Sequence, residues 1–346
     1  MMSIPRAILG TMTFGGATSE QIATTMMLDF CNNPKWKELT REDPMIDTAI
    51  MYQNGKTEAV LGNIIRQSEV PSTLSIASKA NPFTSDKDLS PAGLRKQLDK
   101  SLSSLGTDKV DIYYLHAPDA QNPIEPTLEE IQKLYLESKF KRFGLSNFSA
   151  WETVYIHNYM SSRNYIKPTV YQGMYNAITR QVETELFPAL RKLDMSFYAY
   201  NPLAGGMLSG KYSPAEDDKQ LAKQNAALGD RFAGNSFWAK RYRERFQQKE
   251  QFQALEIVRH ALANNSGQVK SMAEASLRWL CHHSLLKEKD GIIIGASKME
   301  HYSMNMESLS ADPLPTDLVE AFHKAATSCQ SVCPVYSRGY SGSDSM

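Results

Sequence analysis

The segment 90–116, SPAGLRKQLDKSLSSLGTDKVDIYYLH, decides the fold. Ser90 can cap a helix, and Pro91 suits the first helical position. Leu94, Leu98, Leu102 and Leu105 then fall at i, i+4, i+8 and i+11, an apolar stripe along one helical face. Gly106 stands where a helix stops. Val110–His116 follows, a short and nearly continuous apolar run of the kind that forms a strand buried on both faces of a parallel sheet. The unit is a helix handing over to a buried strand that ends on a titratable residue.

Outward from this unit the same kind of run recurs at Ala7–Met12, Met45–Thr48, Leu74–Lys79, Phe143–Asn147, Thr169–Gln172, Ser196–Tyr200 and Gly291–Ala296. Glu125–Glu137, Ala150–Met160, Arg180–Leu193 and Ser271–Cys281 read as helices between them. This alternation predicts an α/β protein, a (β/α)8 TIM barrel forming a single domain over residues 1–346, with a doubly wound open sheet as the alternative. Most runs start ~25–40 residues apart, a strand plus its crossover. Residues 201–290, between Tyr200 and Gly291, far exceed that length and predict a long insertion after strand 7 that shapes the ligand site. The small, polar stretch 338–346 predicts a frayed tail.

Composition narrows the function classes. Of 346 residues, 42% are hydrophobic, enough for a large core. Lys and Arg total 38 and Asp and Glu total 38, so no chain-wide field attracts nucleic acid or an anionic membrane. No apolar run reaches the ~18–20 residues of a membrane span, and the N-terminus lacks the pattern of a secretory signal. A cytoplasmic protein without nucleic-acid or membrane partners is expected. Cys31, Cys281, Cys329 and Cys333 are too scattered for a disulfide scaffold, and Cys329 and Cys333 read as free thiols one turn apart at a helix end. Neither that pair nor Cys281-His282-His283 has zinc-site spacing, so no metal is expected. The basic and aromatic stretch 231–246, RFAGNSFWAKRYRERF, reads as a solvated helix face or a surface for an anionic small molecule.

In a parallel barrel the C-terminal strand ends share one rim, and that rim carries the active site. Asp47 ends one run, with Tyr52 just beyond; Lys79 and His116 end the next two. Any one of these is an ordinary strand-end residue, but together they compose a chemistry. A phenol with an unperturbed pKa of ~10 is a weak acid near neutrality, and an adjacent ammonium lowers it. Asp47 can hold Lys79 charged, and a neutral His116 can orient a carbonyl by hydrogen bonding. The set suits protonating a carbonyl while a hydride arrives, and since no side chain supplies hydride, a nicotinamide cofactor is required. No G-x-G-x-x-G motif follows a strand, so a Rossmann site is not supported.

These residues lie in MIDTAIMY (45–52), IASKANP (76–82), YYLHAPD (113–119) and GLSNFSAWE (144–152), joined by the long blocks PTVYQGMYNAITRQVETELFPALR (168–191) and FYAYNPLAGGMLSGKY (197–212). In them the sequence resembles the aldo-keto reductase superfamily, and within it the aflatoxin-aldehyde and succinic-semialdehyde reductase branch. The resemblance implies Tyr52 as general acid, Lys79 as its partner, Asp47 as the ion-pair partner of Lys79, and His116 as the group orienting the substrate carbonyl. It places Ser146, Asn147 and Gln172 at the nicotinamide carboxamide, with Asp47 close by, and Tyr200 against the ring. Asn201, Pro202, Leu203, Gly205, Gly206, Leu208, Gly210 and Lys211 would line the pyrophosphate, with Arg231 a further contact. Ser297, Lys298, His301 and Asn305 would grip the adenosine and its 2′-phosphate, which implies NADPH. Tyr242, Arg245 and Arg338, the last in a C-terminal substrate loop, would contact a small carbonyl substrate, and two arginines suit a carboxylate on it. A homodimer is also implied. The competing class is a cofactor-binding regulatory subunit resembling the potassium-channel β subunits, which share the barrel; the block 168–212 favours the reductase.

Overall fold

The structure, a computed structural model, describes residues 4–41, 43–83, 88–215, 217–229, 231–265 and 267–343. Among them eight parallel strands close into a barrel in sequence order: β1 (Arg6–Gly10), β2 (Met45–Asp47), β3 (Ser75–Ala80), β4 (Val110–Leu115), β5 (Phe140–Ser146), β6 (Pro168–Met174), β7 (Ser196–Tyr200) and β8 (Gly291–Ile294). Closure is made by β1 against β8, Ile8 opposite Ile293 and Leu9 opposite Ile294. The open doubly wound sheet is thereby excluded.

Helices surround the strands: α1 (Glu20–Asn32), α2 (Lys37–Thr40), α3 (Lys56–Gln67), α4 (Pro91–Leu105), α5 (Ile124–Leu136), α6 (Ala150–Ser162) and α7 (Leu186–Lys192). After β7 come a 3-10 turn at Ala204–Ser209 and α8 (Asp218–Leu228), α9 (Phe237–Phe246), α10 (Lys249–Ala263) and α11 (Met272–His282); α12 (Met299–Leu309) and α13 (Thr316–Cys329) follow β8. The 201–290 insertion is thus mostly helical.

The opening unit folds as its residues dictate. Ser90 Oγ accepts from the Gly93 amide at 3.2 Å, and Gly106 takes φ +70 at the far end of α4. Leu94, Leu98, Leu102 and Leu105 are all buried. The continuous helix expected over Arg180–Leu193 is instead a 3-10 turn at Gln181–Glu183 followed by the short α7. Pro188 is the reason: lacking an amide hydrogen, it fits only the first turn of a helix, which fixes the start of α7 near Leu186.

Side-chain alternation explains where the site lies. Ile8, Met45, Ala77, Ile112, Tyr114, Val170, Tyr198 and Ile293 form one buried cluster, the barrel interior. Gly144 belongs to the same layer, since a Cβ there would lie 2.4 Å from the Tyr114 ring. Successive strand residues point to opposite faces, so the next inward positions are two residues on: Asp47, Lys79, His116, Ser146, Gln172 and Tyr200. The interior is apolar up to that layer and polar at it.

The tail departs from the frayed segment expected over 338–346. The Arg338 amide donates to Asn147 O at 2.9 Å, the Ser341 amide to Glu152 Oε1 at 3.0 Å and the Gly342 amide to Asp119 O at 2.8 Å. Backbone donors satisfied by barrel groups hold this strap across the ends of β4 and β5. Residues 344–346 lie outside the described residues. No helix among the described residues is long and apolar enough to cross a membrane.

Candidate active site

Lys79 is the centre of the rim. Its side chain is fully buried, and its Nζ lies 2.6 Å from Asp47 Oδ1, 2.6 Å from Thr48 O and 3.3 Å from the Tyr52 hydroxyl. Burial alone would lower its pKa, but Asp47 and Tyr52 outweigh burial and the net shift is upward, so the ammonium stays charged. The other carboxylate oxygen of Asp47 accepts from Gln172 Nε2 at 2.7 Å. Asp47 is therefore clamped from β3 and from β6 on the opposite side of the mouth.

Tyr52 sits on a strained turn. Gln53, Asn54 and Gly55 take φ of +48, +57 and +88, left-handed values that only Gly adopts freely. This turn points the phenol back toward Lys79, and the Gln53 side chain fastens it by donating to Met12 O at 3.0 Å. Burial pushes the Tyr52 phenol up, Lys79 pulls it down, and the net is upward. This corrects the expectation from sequence that the lysine would lower it: desolvation wins over the neighbouring charge.

His116 stands edge-on to Tyr52, with ring centroids 6.2 Å apart. Burial first, then Lys79 and Arg338, hold its pKa well below the usual histidine range, so the imidazole is neutral. Its Nδ1 is buried without a hydrogen-bond partner among the described groups. A neutral ring with an uncommitted nitrogen beside a phenol is an arrangement that invites a ligand oxygen.

The ends of β4, β5 and β7 are tied by one side chain. Asn147 Nδ2 donates to His116 O at 2.8 Å and to Ser146 Oγ at 3.0 Å, while its Oδ1 accepts from the Tyr200 hydroxyl at 2.7 Å. Beyond β7, Asn201, Ala204, Gly205, Gly206 and Gly210 all take positive φ, with Gly206 at +117. Pro202 and Leu208 are buried and Leu203 is half-buried, so this segment offers mainly backbone to a ligand. Lys211 and Lys298 are exposed, and both lower the pKa of His301, after burial. Two lysines and a histidine thus gather at the N-terminus of α12, with Ser297 half-buried beside them and Asn305 buried further along the helix.

The expected substrate residues also converge. Arg231 Nη1 donates to the Tyr242 hydroxyl at 2.9 Å, linking the two. Arg245 is lowered by burial and then by Arg338, and it senses Tyr200 and Tyr242. Two guanidinium groups at mutual cost, neither paired with a described carboxylate, leave a site short of negative charge. Two contributors were missed from sequence. Phe83 bridges the halves, its ring 5.5 Å from the His116 ring and 5.1 Å from the Arg338 guanidinium. The Asn81-Pro82 turn was its only signal: Asn81 Oδ1 accepts from the Phe83 amide at 2.9 Å. Thr48 acts through its backbone carbonyl, which no side-chain pattern announces. Among the described residues no cluster of three or more acidic, His or Cys side chains could hold a metal.

Comparison with known proteins bears on this geometry. The model of the aldo/keto reductase family matches residues 6–327. The chain is 42% identical over 338 residues to aflatoxin B1 aldehyde reductase member 2 of Rattus norvegicus, covering 96% of this chain and 88% of that protein. It is 40% identical over 336 residues to aflatoxin B1 aldehyde reductase member 4 of Homo sapiens, covering 96% and 97%. It is 31% identical over 304 residues to aldo-keto reductase pigE of Monascus ruber, covering 84% and 85%.

Proposed function

The chain belongs to the aldo/keto reductase family, oxidoreductases that act on carbonyls with nicotinamide cofactors, and on that premise we propose that it is an NADPH-dependent aldehyde and ketone reductase of the cytoplasm. Its preferred substrates are aldehydes or dicarbonyls that carry a carboxylate. The observation that carries this reading is the buried Lys79 ammonium, 2.6 Å from Asp47 and 3.3 Å from the Tyr52 hydroxyl, beside a neutral His116.

The site suits a nicotinamide dinucleotide. The left-handed segment around Gly205, Gly206 and Gly210 lets a pyrophosphate approach the backbone. Lys211, Lys298 and His301 beside the free amides of α12, with Asn305 in the same helix, favour a phosphate such as the 2′-phosphate of NADPH. Ser146, Asn147 and Gln172 surround the position for a carboxamide, the Tyr200 ring offers a flat face, and Arg231 adds a cation. When bound, the cofactor supplies the hydride.

This chain's own residues supply the proton and the orientation. His116, neutral, donates a hydrogen bond to the carbonyl oxygen and turns it toward Tyr52. Tyr52 gives up its proton to that oxygen, and Lys79 stabilises the phenolate left behind. Asp47 keeps Lys79 charged and fixed. Arg245 and Arg338 hold a substrate carboxylate bidentately, and Tyr242 and Phe83 close the walls. The test is a fluorescence titration with NADPH and NADH, followed by an aldehyde panel. Tighter NADPH binding, and higher kcat/KM for succinic semialdehyde or 2-carboxybenzaldehyde than for neutral aldehydes of similar size, are expected. Absence of turnover across the panel would overturn the reading.

A further inference from the structure

Away from the rim, where α13 hands over to the C-terminal strap, two thiols meet. Cys329 ends α13, a 3-10 turn spans Gln330–Val332, and Cys333 follows. Both sulfurs lie against one acceptor, Ile178 O, Cys329 Sγ at 3.7 Å and Cys333 Sγ at 3.3 Å. The two thiols are close enough that each shifts the other's protonation, Cys329 upward and Cys333 downward. Cys329 is fully buried, whereas Cys333 is half-buried.

Polar groups border the Cys333 sulfur. The Thr179 hydroxyl and the Gln181 side chain face Cys333 together with the Cys329 thiol. Thr179 is only 2% exposed, and its Oγ1 has no hydrogen-bond partner among the described residues. A buried hydroxyl left unpaired is costly unless a ligand or a charged neighbour uses it. These contacts, the Cys329 thiol foremost, hold Cys333 down at about 7 against burial, while burial pushes Cys31 and Cys281 up to about 12. Access is through the half-buried Cys333 itself, and a cavity of about 190 Å³ with Ile178, Gln181 and Gln330 in its wall lies in the same region.

We propose that Cys333 is a hydroperoxide-reactive thiol and that Cys329 resolves it, closing a disulfide across the end of α13. In the first step the Cys333 thiolate attacks one peroxide oxygen. The O–O bond breaks, hydroxide leaves and is protonated to water, and the sulfur becomes a sulfenic acid. In the second, the Cys329 sulfur attacks the Cys333 sulfur, the S–S bond forms and the S–O bond breaks. Hydroxide leaves and takes the Cys329 proton as water. Two thiols and one hydrogen peroxide give one disulfide and two waters. A dithiol restores the two thiols by exchange and is itself oxidised to a disulfide, so the peroxide is consumed for good.

The experiment treats the full chain with limiting hydrogen peroxide and follows it by intact mass, peptide mapping and differential alkylation. The wild type is expected to lose two hydrogens in the peptide holding both residues, reversibly with dithiothreitol. Alkylation of Cys333 is expected to outpace that of Cys31 and Cys281 by at least about tenfold near neutral pH. Cys333→Ser should abolish the rapid oxidation. Cys329→Ser should stop at a dimedone-trapped sulfenic acid on Cys333. The wild-type mapping needs no variant to fold. Oxidation of Cys31 or Cys281 as fast as Cys333, or a Cys333 that gains oxygen but never pairs with Cys329, would overturn the proposal.

Discussion

A single buried ammonium organises the chemistry, and its energetics are lopsided. Lys79 and Asp47 are each almost wholly removed from water, so either is tolerable only because the other is 2.6 Å away. Removing one partner of such a pair costs about 3–5 kcal/mol, whereas replacing both by neutral groups can cost little. Asp47→Asn is expected to lose about that much in urea unfolding, and Asp47→Asn with Lys79→Met to regain most of it while staying inactive. The same residues set the pH profile. The acid form of Tyr52 is the active one for reduction, and its pKa lies above the ordinary tyrosine value of ~10. Activity is therefore lost only as pH rises into the strongly alkaline range. His116, held well below ~6.5, stays neutral through mild acid. The kcat for reduction should be level from mildly acidic to moderately alkaline pH; a limb titrating near neutrality in a stopped-flow profile of the chemical step would contradict this assignment.

Strand ends, a glycine-rich turn and one helix terminus assemble the site, and they were not equally legible. The rim residues could be read because strands were visible as apolar runs and side-chain alternation puts every second residue inside. Asp47, Lys79, His116, Ser146, Gln172 and Tyr200 follow from that rule alone. The shape of the Tyr52 turn was not legible, since left-handed Gln53 and Asn54 are held by tertiary contacts such as Gln53 to Met12 O. The break before α7 could have been taken from Pro188. Gly206 offers the test at this scale. A Cβ there has room, its nearest neighbours being at 3.9 Å, but φ +117 is a conformation L side chains rarely adopt. Gly206→Ala strains the turn by about 1–2 kcal/mol. It should weaken NADPH binding about tenfold in a fluorescence titration, with the far-ultraviolet circular dichroism unchanged.

Across the whole chain the formal charge is zero, yet positive groups concentrate at one mouth. Lys211 and Lys298 flank α12, Arg245 and Arg338 lie within each other's field with Arg338 also acting on His116, and many acids are used in outer ion pairs such as Arg95–Glu137 and Lys141–Asp111. A sum over the sequence hides that separation; only the fold sorts charges by place. The C-terminal strap contributes Arg338, and backbone bonds to Asn147, Glu152 and Asp119 keep it there. Composition alone suggested fraying, because small polar residues carry no mark of which carbonyls their amides will meet. Arg338→Met is expected to lower kcat/KM for 2-carboxybenzaldehyde about tenfold to a hundredfold, as loss of hydrogen bonds to a charged group implies, and to leave a neutral aldehyde of similar size unchanged. Steady-state kinetics on the two substrates separates this outcome from a general loss of activity.

The most direct measurement is Tyr52→Phe, with NADPH binding and single-turnover reduction of succinic semialdehyde followed on the same preparation. The variant keeps the aromatic ring and removes the hydroxyl that carries the proton, together with its contact to Lys79. The predicted result is NADPH affinity close to that of the wild type with reduction lost. Reduction at the wild-type rate would contradict the assignment of Tyr52 as the acid.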